Sequence, residues 1–274
     1  VRVVRQKPQL GTAHAVQQAA PELAGFEGDA VVLYGDTPFV RPETLQAMLD
    51  ARANGADVVV LGFEAENPGG YGRLVLGDDG RLDAIVEAKE ADAATLAIRL
   101  CNSGLLAADT ATLLDLLAQV RNDNAKGEFY LTDVVALARA RGLATAVITC
   151  PESETLGVNS RADLAAAEAA FQARARADAM ANGATLTDPA SVFFALDTVI
   201  GRDVVIGPSV VFGPEVTVES GATINAFCHL EGCHVSRGAR IGPFARLRPG
   251  AEIAEDAHIG NFVEIKNAIV EEGA

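Results

Sequence analysis

Two unlike folds are predicted for this 274-residue chain: a doubly wound α/β unit and, after it, a parallel β-helix. Three observations lead to this prediction. Short β-branched runs alternate with helical patterns as far as about residue 158, a long Ala-rich segment follows from Ser160, and aliphatic residues recur every six positions from Ile200. Because each pattern has its own hydrophobic period, each predicts its own kind of structure.

The first part of the chain supplies the strands and helices of the α/β unit. Pro42 suits the first turn of a helix that runs to about Ala53, and Asp109 is a candidate N-cap of a second helix. The predicted strands are 31–34, 57–63, 73–76, 81–86, 98–106 and 144–149, and the predicted helices are 42–53, 109–120 and 131–141. Strand–helix alternation of this kind favours a doubly wound, Rossmann-like sheet.

A long helix and a repeat make up the rest of the chain. Residues 160–182 are rich in Ala and charged side chains and end at Gly183, which predicts one helix that links two domains. Beyond it, an anchor falls on every sixth residue, and a second series of small or aliphatic residues follows four positions after each anchor. Two such series predict a hexapeptide-repeat β-helix. A five-residue step near Glu231-Gly232 predicts a local slip or bulge. The anchors are Ile200, Ile206, Phe212, Val218, Ile224, Leu230, Val235, Ile241, Leu247, Ile253, Ile259 and Ile265.

Composition and charge restrict the classes of partner. Apolar residues make up 49% of the chain, enough for packed cores, and 37 acidic against 22 basic residues give a formal charge of −15. A field of this sign repels polyanions, so a surface for nucleic acid or an anionic membrane is not expected. No apolar run is long enough for a membrane span and no signal pattern opens the chain, so a cytoplasmic protein is expected.

Polar residues beside predicted strand ends and helix starts are candidates for a ligand site. Asp36 follows the strand 31–34, where α/β sheets bind ligands, and its carboxylate suits Mg²⁺ beside a phosphate as well as it suits an ordinary turn. Gly11 and Thr12 stand at a helix start whose backbone N–H groups can meet a base or phosphate. His14 lies inside that helix and is assigned to packing. Taken alone, the glycines of segment 69–73 favour a flexible loop over a ligand contact.

Four cysteines do not indicate a disulfide-built fold. Cys228-His229 and Cys233-His234 have the residue types of a zinc site, but their spacing matches no common zinc motif, and Cys228 occupies a small-residue position of the repeat. Cys101 and Cys150 fall on predicted strands and are expected to be buried thiols.

Several short motifs occur in a single order along the chain. They are Gln6-x-x-Gln9-Leu-Gly-Thr-x-His-Ala, Tyr34-Gly-Asp36, Gly70-Tyr-Gly-Arg73, Val86-Glu87-x-Lys89, Asn102-x-Gly104, Gly127-Glu-Phe-Tyr-Leu-Thr-Asp133, Gly157-Val-Asn159, Ile241-Gly-Pro-Phe-Ala-Arg-Leu-Arg-Pro-Gly250 and Gly260-Asn-Phe-Val-Glu-Ile-Lys266. With this ordered set, essentially the whole chain resembles the bacterial bifunctional N-acetylglucosamine-1-phosphate uridyltransferase / glucosamine-1-phosphate acetyltransferase family.

The resemblance implies two activities in separate domains. Residues 1–159 would form a nucleotidyltransferase domain that transfers uridylyl from UTP to N-acetylglucosamine 1-phosphate with Mg²⁺, giving UDP-N-acetylglucosamine and pyrophosphate for cell-wall precursor synthesis. Residues 160–189 would form a linker helix. Residues 190–274 would begin a left-handed β-helix that acetylates glucosamine 1-phosphate with acetyl-CoA, as a homotrimer.

The resemblance also implies roles for individual residues. Asp36 and Asn159 would bind Mg²⁺, and Arg248 and Lys266 would contact the sugar phosphate during acetyl transfer. The remaining contacts would be Gln6, Gly11 and Thr12 for uracil, Tyr34 and Gly35 for the nucleotide pocket, and Gly72, Glu87 and Asn102 for the N-acetylglucosamine part.

Two features of that family do not occur in this sequence. One is a Gly-rich loop that carries an Arg and is followed by a Lys, ahead of the first motif, and the other is the catalytic His of acetyl transfer beyond the last motif. We therefore expect an internal piece of the enzyme that performs neither reaction efficiently by itself.

Other interpretations stay open at this point. An adenylyl- or thymidylyltransferase for glucose 1-phosphate also combines such a domain with a β-helix. Hexapeptide β-helices often belong to acetyl-CoA enzymes, so acyl transfer could be the main activity. A trimeric scaffold that binds a sugar nucleotide without turnover is the non-enzymatic alternative.

Overall fold

The computed structural model describes residues 1–124 and 126–274. The chain divides into two compact units, Val1–Asn159 and Ser160–Ala274. Each unit has its own hydrophobic core, as expected when two different periodicities follow one another in sequence. The α/β unit followed by a β-helix confirms the predicted fold class.

A six-stranded mixed sheet forms the centre of the first unit. The strands are β1 (Asp29–Val32), β2 (Val58–Glu64), β3 (Arg73–Leu76), β4 (Leu82–Val86), β5 (Leu100–Asp109) and β6 (Thr145–Cys150). Their order is β4-β3-β5-β2-β6, and β1 pairs with β5. Only β2 and β6 pair in parallel, because the β3–β4 hairpin and the reversed strand β5 bring antiparallel pairs into the sheet.

Helices cover both faces of this sheet, which is the doubly wound arrangement. On β2, Val58 and Val60 pack into one core with helices of one face, while Val59 and Leu61 pack into a second core with Met48 on the other. A strand buried on both faces explains the continuous apolar run in its sequence. The helices are α1 (Thr12–Gln17), α2 (Ala20–Leu23), α3 (Pro42–Ala53), α4 (Ala93–Leu96), α5 (Thr110–Leu117) and α6 (Asp133–Ala140).

Local signals located most of these elements closely. Helix α3 spans the predicted residues, and the Asp109 carboxylate caps α5 by accepting a hydrogen bond from Thr112 N at 2.9 Å. Strand β1 lies two residues earlier than predicted, since pairing with β5 runs from Asp29 opposite Asp109 to Val32 opposite Leu106. Tyr34 therefore follows the strand instead of ending it.

The second unit is a parallel β-helix whose short strands form three sheets. Ile206 pairs with Ile224, and Phe212 with Leu230, so one full coil spans 18 residues. The strands of the three sheets are Thr185–Leu186, Val205–Ile206, Thr223–Ile224, Arg240–Ile241 and His258–Ile259; Val211–Phe212, His229–Leu230, Arg246–Leu247 and Glu264–Ile265; and Val199–Ile200, Val216–Val218, Cys233–Val235, Ala251–Ile253 and Ala268–Val270.

The anchor series predicted from sequence is the interior of this β-helix. All anchors from Ile206 to Ile259 are buried, and Ile200 and Ile265 at the two ends are partly buried. The five-residue step shortens one coil to 17 residues, since Leu230 pairs with Leu247. Gly232, with φ +53°, absorbs the step, and the strand Cys233–Val235 keeps its register with both neighbours. The predicted slip is thus a shortened coil without a bulge.

Cysteines of the β-helix belong to its core. Cys228 and Cys233 are buried among the anchors, and burial raises the pKa of the Cys233 thiol to about 12. Within residues 1–124 and 126–274 no group of three or more His, Cys, Asp and Glu side chains could hold a metal ion. Cys101 in β5 is buried as predicted, whereas Cys150 at the end of β6 is partly buried. None of the helices described for this chain is long and apolar enough to cross a membrane.

Helix α7 (Arg161–Ala181) begins the second unit, and its residues Ala175 and Ala179 pack against the core of the β-helix. Ser160 caps it by accepting a hydrogen bond from Asp163 N at 3.1 Å. The segment around Phe193 and Phe194 pairs on one side with the strand at Val211. On the other side, buried Gln172 donates to Phe194 O at 2.8 Å and accepts from Phe194 N at 2.9 Å. The Gln172 amide therefore takes the place of a neighbouring strand.

Replacing Gln172 with Ala is expected to destabilise the second unit by roughly 2–4 kcal/mol, because two buried backbone groups of Phe194 lose their partner. Urea denaturation gives the change in stability, and hydrogen exchange at the Phe194 amide localises it. The matched control is Gln119→Ala, which removes an exposed side chain that donates to Asp115 O and should change stability by less than about 0.5 kcal/mol. Unchanged protection of the Phe194 amide would contradict the edge-capping role of Gln172.

Candidate functional site

The candidate site of the first unit begins where two distant segments lie against each other. Phe129 N donates to Leu10 O at 2.7 Å, and Ala13 N donates to Phe129 O at 2.9 Å. Gly11 sits between these bonds with φ +113°, and a Cβ there would lie 2.4 Å from Phe129 O. Only glycine allows this approach. Leu131 N completes the contact by donating to Thr12 Oγ1 at 2.9 Å.

Tyr34 connects this contact to the other predicted site residues. Its hydroxyl lies near the Thr12 side chain, and its ring packs so close to Gly104 that a Cβ there would lie 2.2 Å from Cε2. Burial, and then the negative charges of Glu87 and Asp36, raise the pKa of Tyr34. The phenol is therefore a neutral hydrogen-bonding group at pH 7.

Two of the predicted sugar contacts, Asn102 and Gly72, lie near the Tyr34 ring. Asn102 and Gly104 line a shallow pocket with Tyr34, and Leu131 and Thr132 close it. Buried Gly72 is held beside Asn102, since Asn102 N donates to Gly72 O at 2.8 Å. Ile85 Cγ2 would lie 3.3 Å from a Cβ at Gly72, so a side chain at that position would crowd the pocket wall.

The glycine-rich segment before β3 is held in place, which corrects the expectation of a flexible loop. Arg73 is buried, and its guanidinium donates to the carbonyls of Pro68, Gly69 and Tyr71. Tyr71 also packs edge-on against Phe63, with 5.0 Å between ring centroids. Composition did not predict this order, because a count of glycines does not show that the Arg73 side chain bonds the carbonyls of the loop.

The loop that carries Asp36 lies beside the segment that carries Asn159. Val158 N donates to Asp36 O at 2.8 Å, which brings the segment 157–159 beside the loop after β1. A Cβ at Gly157 would lie 3.5 Å from Asn159 Nδ2 and 3.9 Å from Asp36 O. A carboxylate and an amide offer the hard oxygen ligands that a divalent cation takes, and two protein ligands leave positions for water and phosphate. These residues therefore fit a divalent cation.

The exposed Gly35 lies in the same loop but makes no close contact there. Apart from its two chain neighbours, none of the residues that the structure describes has an atom within 4 Å of the position of its missing Cβ. Gly35 is therefore accessible to a ligand beside Tyr34.

Buried Glu154 determines where the segment 157–159 lies. Its Oε2 accepts hydrogen bonds from Arg41 N at 3.1 Å and Thr44 Oγ1 at 2.7 Å, at the first turn of α3. Helix α3 receives no cap from its own N-cap side chain at Arg41. Glu154 is therefore a cap supplied from far along the chain, and it fastens the segment before Asn159 to the helix after Asp36.

Sequence reasoning also missed Asp133, the first residue of α6. Burial, and then the charges of Glu90 and Glu87, raise the pKa of the Asp133 carboxyl. Asp133 lines an open polar pocket with Glu90, Arg121 and Tyr130. Asp133 is part of the motif 127–133. An acidic residue in the first turn of a helix is also favoured by the helix dipole, so its position in the sequence did not indicate a ligand site.

The two candidate residues of the β-helix occupy equivalent positions on successive coils. Arg248 follows the anchor Leu247 and Lys266 follows Ile265, and Arg248 N donates to Ile265 O at 2.9 Å. The strand spacing of about 4.8 Å places their backbones side by side. Glu264, which sequence reasoning did not single out, accepts from Arg248 Nη1 at 3.1 Å.

Comparisons with known proteins agree with this architecture. The family of MobA-like NTP transferase domains matches residues 1–131, and the bacterial transferase hexapeptide family (six repeats) matches residues 197–232 and 232–267. Proteins named Bifunctional protein GlmU are similar to the chain throughout: that of Paracoccus denitrificans is 65% identical over 273 residues, and that of Cereibacter sphaeroides is 67% identical over 274 residues. The chain belongs to the GlmU family.

The match to GlmU proteins covers all of this chain but not all of those proteins. The chain spans 60% of the length of the Paracoccus denitrificans and Cereibacter sphaeroides relatives. The Dinoroseobacter shibae GlmU is 67% identical over 199 residues, which are 73% of this chain and 44% of that protein.

Replacing Glu154 with Ala is expected to cost roughly 2–4 kcal/mol of stability, because Arg41 N and Thr44 Oγ1 lose a charged acceptor in a buried place. Urea denaturation measures the loss, and NMR shifts of the Val158 amide report whether the segment moves from Asp36. Glu43→Ala is the control, since it removes an exposed carboxylate from the same first turn. Equal stability of the two variants would rule out the tertiary cap.

Proposed function

We propose that residues 1–159 form a nucleotidyltransferase domain that transfers uridylyl from UTP to N-acetylglucosamine 1-phosphate. The observation that carries this proposal is the gathering of three groups of residues around Tyr34. Thr12, which follows Gly11, lies near the Tyr34 hydroxyl. Asn102, which bonds Gly72, lines a pocket with Tyr34, and the negative charge of Asp36 acts on the phenol. A base, a sugar and a metal-bound phosphate require such an arrangement.

The proposed site divides the substrate among these groups. Gln6, Gly11 and Thr12 hold the uracil, and Tyr34 and Gly35 line the nucleotide pocket. Gly72, Glu87 and Asn102 bind the N-acetylglucosamine part. Because Gly11 lies with φ +113° against Phe129, its backbone is presented to the base without a side chain in the way.

Transfer itself requires placement and charge neutralisation. The sugar 1-phosphate is already an oxyanion, so no general base has to deprotonate the attacking oxygen. Asp36 and Asn159 would hold Mg²⁺, which supplies neutralisation of the charge on the transferring phosphates. The oxygen attacks the α-phosphorus of UTP, the bond to the β-phosphate breaks, and pyrophosphate leaves. The residues around Tyr34 contribute by holding the sugar and the base, so that the attacking oxygen stays next to the α-phosphorus.

Asp36→Asn is expected to lower Mg²⁺-dependent uridylyl transfer by at least about 100-fold, since a carboxylate ligand of the metal is lost. The assay follows pyrophosphate release from UTP and N-acetylglucosamine 1-phosphate, in a chimera that takes from the Paracoccus denitrificans relative the segments that this chain does not cover. Asp50→Asn, an exposed change in α3, is the control. Retained activity in Asp36→Asn would overturn the proposal.

Substrate comparison in the same chimera separates the alternatives. Preference for UTP over ATP or dTTP, and for N-acetylglucosamine 1-phosphate over glucose 1-phosphate, supports this function over the related nucleotidyltransferases. Binding of UDP-N-acetylglucosamine without any turnover would favour the scaffold interpretation instead.

A second activity is proposed for the β-helix of residues 190–274, with residues 160–189 as the linker. Arg248 and Lys266, which occupy equivalent positions on successive coils, support it, because two cations on neighbouring coils suit a sugar phosphate. We propose acetylation of glucosamine 1-phosphate with acetyl-CoA as co-substrate, in a homotrimer whose left-handed β-helices lie side by side, and a cytoplasmic location for the whole enzyme.

Arg248→Ala and Lys266→Ala should each raise the KM for glucosamine 1-phosphate by about 10-fold or more, because each removes a charged hydrogen bond to the phosphate. The measurement is acetyl transfer in the chimera. Arg240→Ala serves as control, since Arg240 is an exposed cation on a different sheet of the same β-helix. A KM that changes equally in all three variants would count against the proposed phosphate site.

A further inference from the structure

The Gln6 side chain, which the proposed function places against the base, is held in one orientation by two acceptors. Gln6 Nε2 donates to Gly11 O at 2.9 Å and lies 3.0 Å from His14 Nδ1. A backbone carbonyl can only accept, so Gly11 O determines which end of the amide faces it. The amide nitrogen has two hydrogens, and the second one points to the imidazole.

This bond in turn defines the state of His14. Nδ1 accepts the Gln6 hydrogen, so the neutral ring carries its own proton on Nε2. Helix α1 and the ring of Phe129, whose centroid lies 6.2 Å away, hold the imidazole in position. The packing role expected for His14 is therefore incomplete, because its ring nitrogen also bonds a residue of the candidate site.

With both hydrogens engaged, Gln6 can offer a ligand only its carbonyl oxygen. Among the residues that the structure describes, Gln6 Oε1 takes no hydrogen bond. Uracil has a donor at N3–H, whereas cytosine has an acceptor at N3. Placed against N3 of the base, this oxygen pairs with the N3–H of uracil but meets the N3 acceptor of cytosine, which costs affinity.

We propose that His14 is a positioning residue that fixes the Gln6 amide so that the base site selects uracil over cytosine. This inference rests on the proposed function, since it takes Gln6 as a contact of the base. His14 itself touches no reacting atom. If the imidazole acceptor is removed, one Gln6 hydrogen loses its partner and the amide can rotate to offer that hydrogen to cytosine N3.

The test compares UDP with CDP, which differ only in the base, as ligands of this chain in calorimetric titrations. The chain as it stands should bind UDP at least about 10-fold more tightly than CDP. His14→Phe keeps an aromatic ring against Phe129 and removes the acceptor. It should reduce the UDP/CDP affinity ratio by about 3- to 10-fold, the value of one hydrogen bond. His14→Ala is the second acceptor-free variant should His14→Phe fold poorly.

His14→Asn is the matched rescue. Its Oδ1 can take the place of imidazole Nδ1 as an acceptor, so the UDP/CDP ratio should return towards that of the unmodified chain. A purely structural role of His14 would weaken both nucleotides equally and leave the ratio unchanged in every variant, and that result would overturn the inference. If the unmodified chain does not distinguish UDP from CDP, the uridine site of the proposed function fails and this inference with it. A preference for UDP that persists in His14→Phe and His14→Ala refutes the inference alone.

Discussion

Backbone groups that leave water must keep a hydrogen-bond partner, and in this chain side chains far away in sequence supply several of them. Gln172 takes the place of a strand beside Phe194 in the β-helix. Glu154 caps the first turn of α3, and Thr12 Oγ1 accepts from Leu131 N in the candidate site. Each of these bonds joins two segments that no strand pairing connects. The position of the functional loops depends on them as much as on the sheet.

Close backbone approach is the second requirement of the site, and it follows from the first. The bonds from Phe129 N to Leu10 O and from Ala13 N to Phe129 O exist only because Gly11 has no Cβ. The same contact brings Leu131 to Tyr34 and leaves Gln6 beside His14. One glycine thereby aligns the segment that we assign to the base with the segment around Leu131, which lines the pocket beside Tyr34 and Asn102.

Sequence patterns predicted what is local and periodic. Every anchor from Ile206 to Ile259 is buried, and α3 has the predicted bounds, since hydrophobic period and a first-turn proline act within one element. Strand β1 was misplaced by two residues because pairing with β5 sets its register. The mixed sheet, the Glu154 cap and the second bond of Gln6 depend on residues distant in sequence, which no local pattern reports. Motif order indicated the site residues, but not how Tyr34 connects them.

Charge around Tyr34 gives a physical reason for a metal in the proposed reaction. Burial raises the pKa of Tyr34 and of Asp133, and negative charges raise both further: those of Glu87 and Asp36 for Tyr34, and those of Glu90 and Glu87 for Asp133. These carboxylates make the local potential negative. A triphosphate and a sugar phosphate would add further negative charge to this place. A divalent cation on Asp36 and Asn159 would reverse the sign of the field where the phosphates bind. With the metal bound, the carboxylates near Tyr34 would favour binding of the phosphorylated substrates. Without the metal, the same carboxylates would repel these substrates. Affinity for nucleotide and affinity for metal must therefore rise together, because each ligand removes the repulsion that the other would meet.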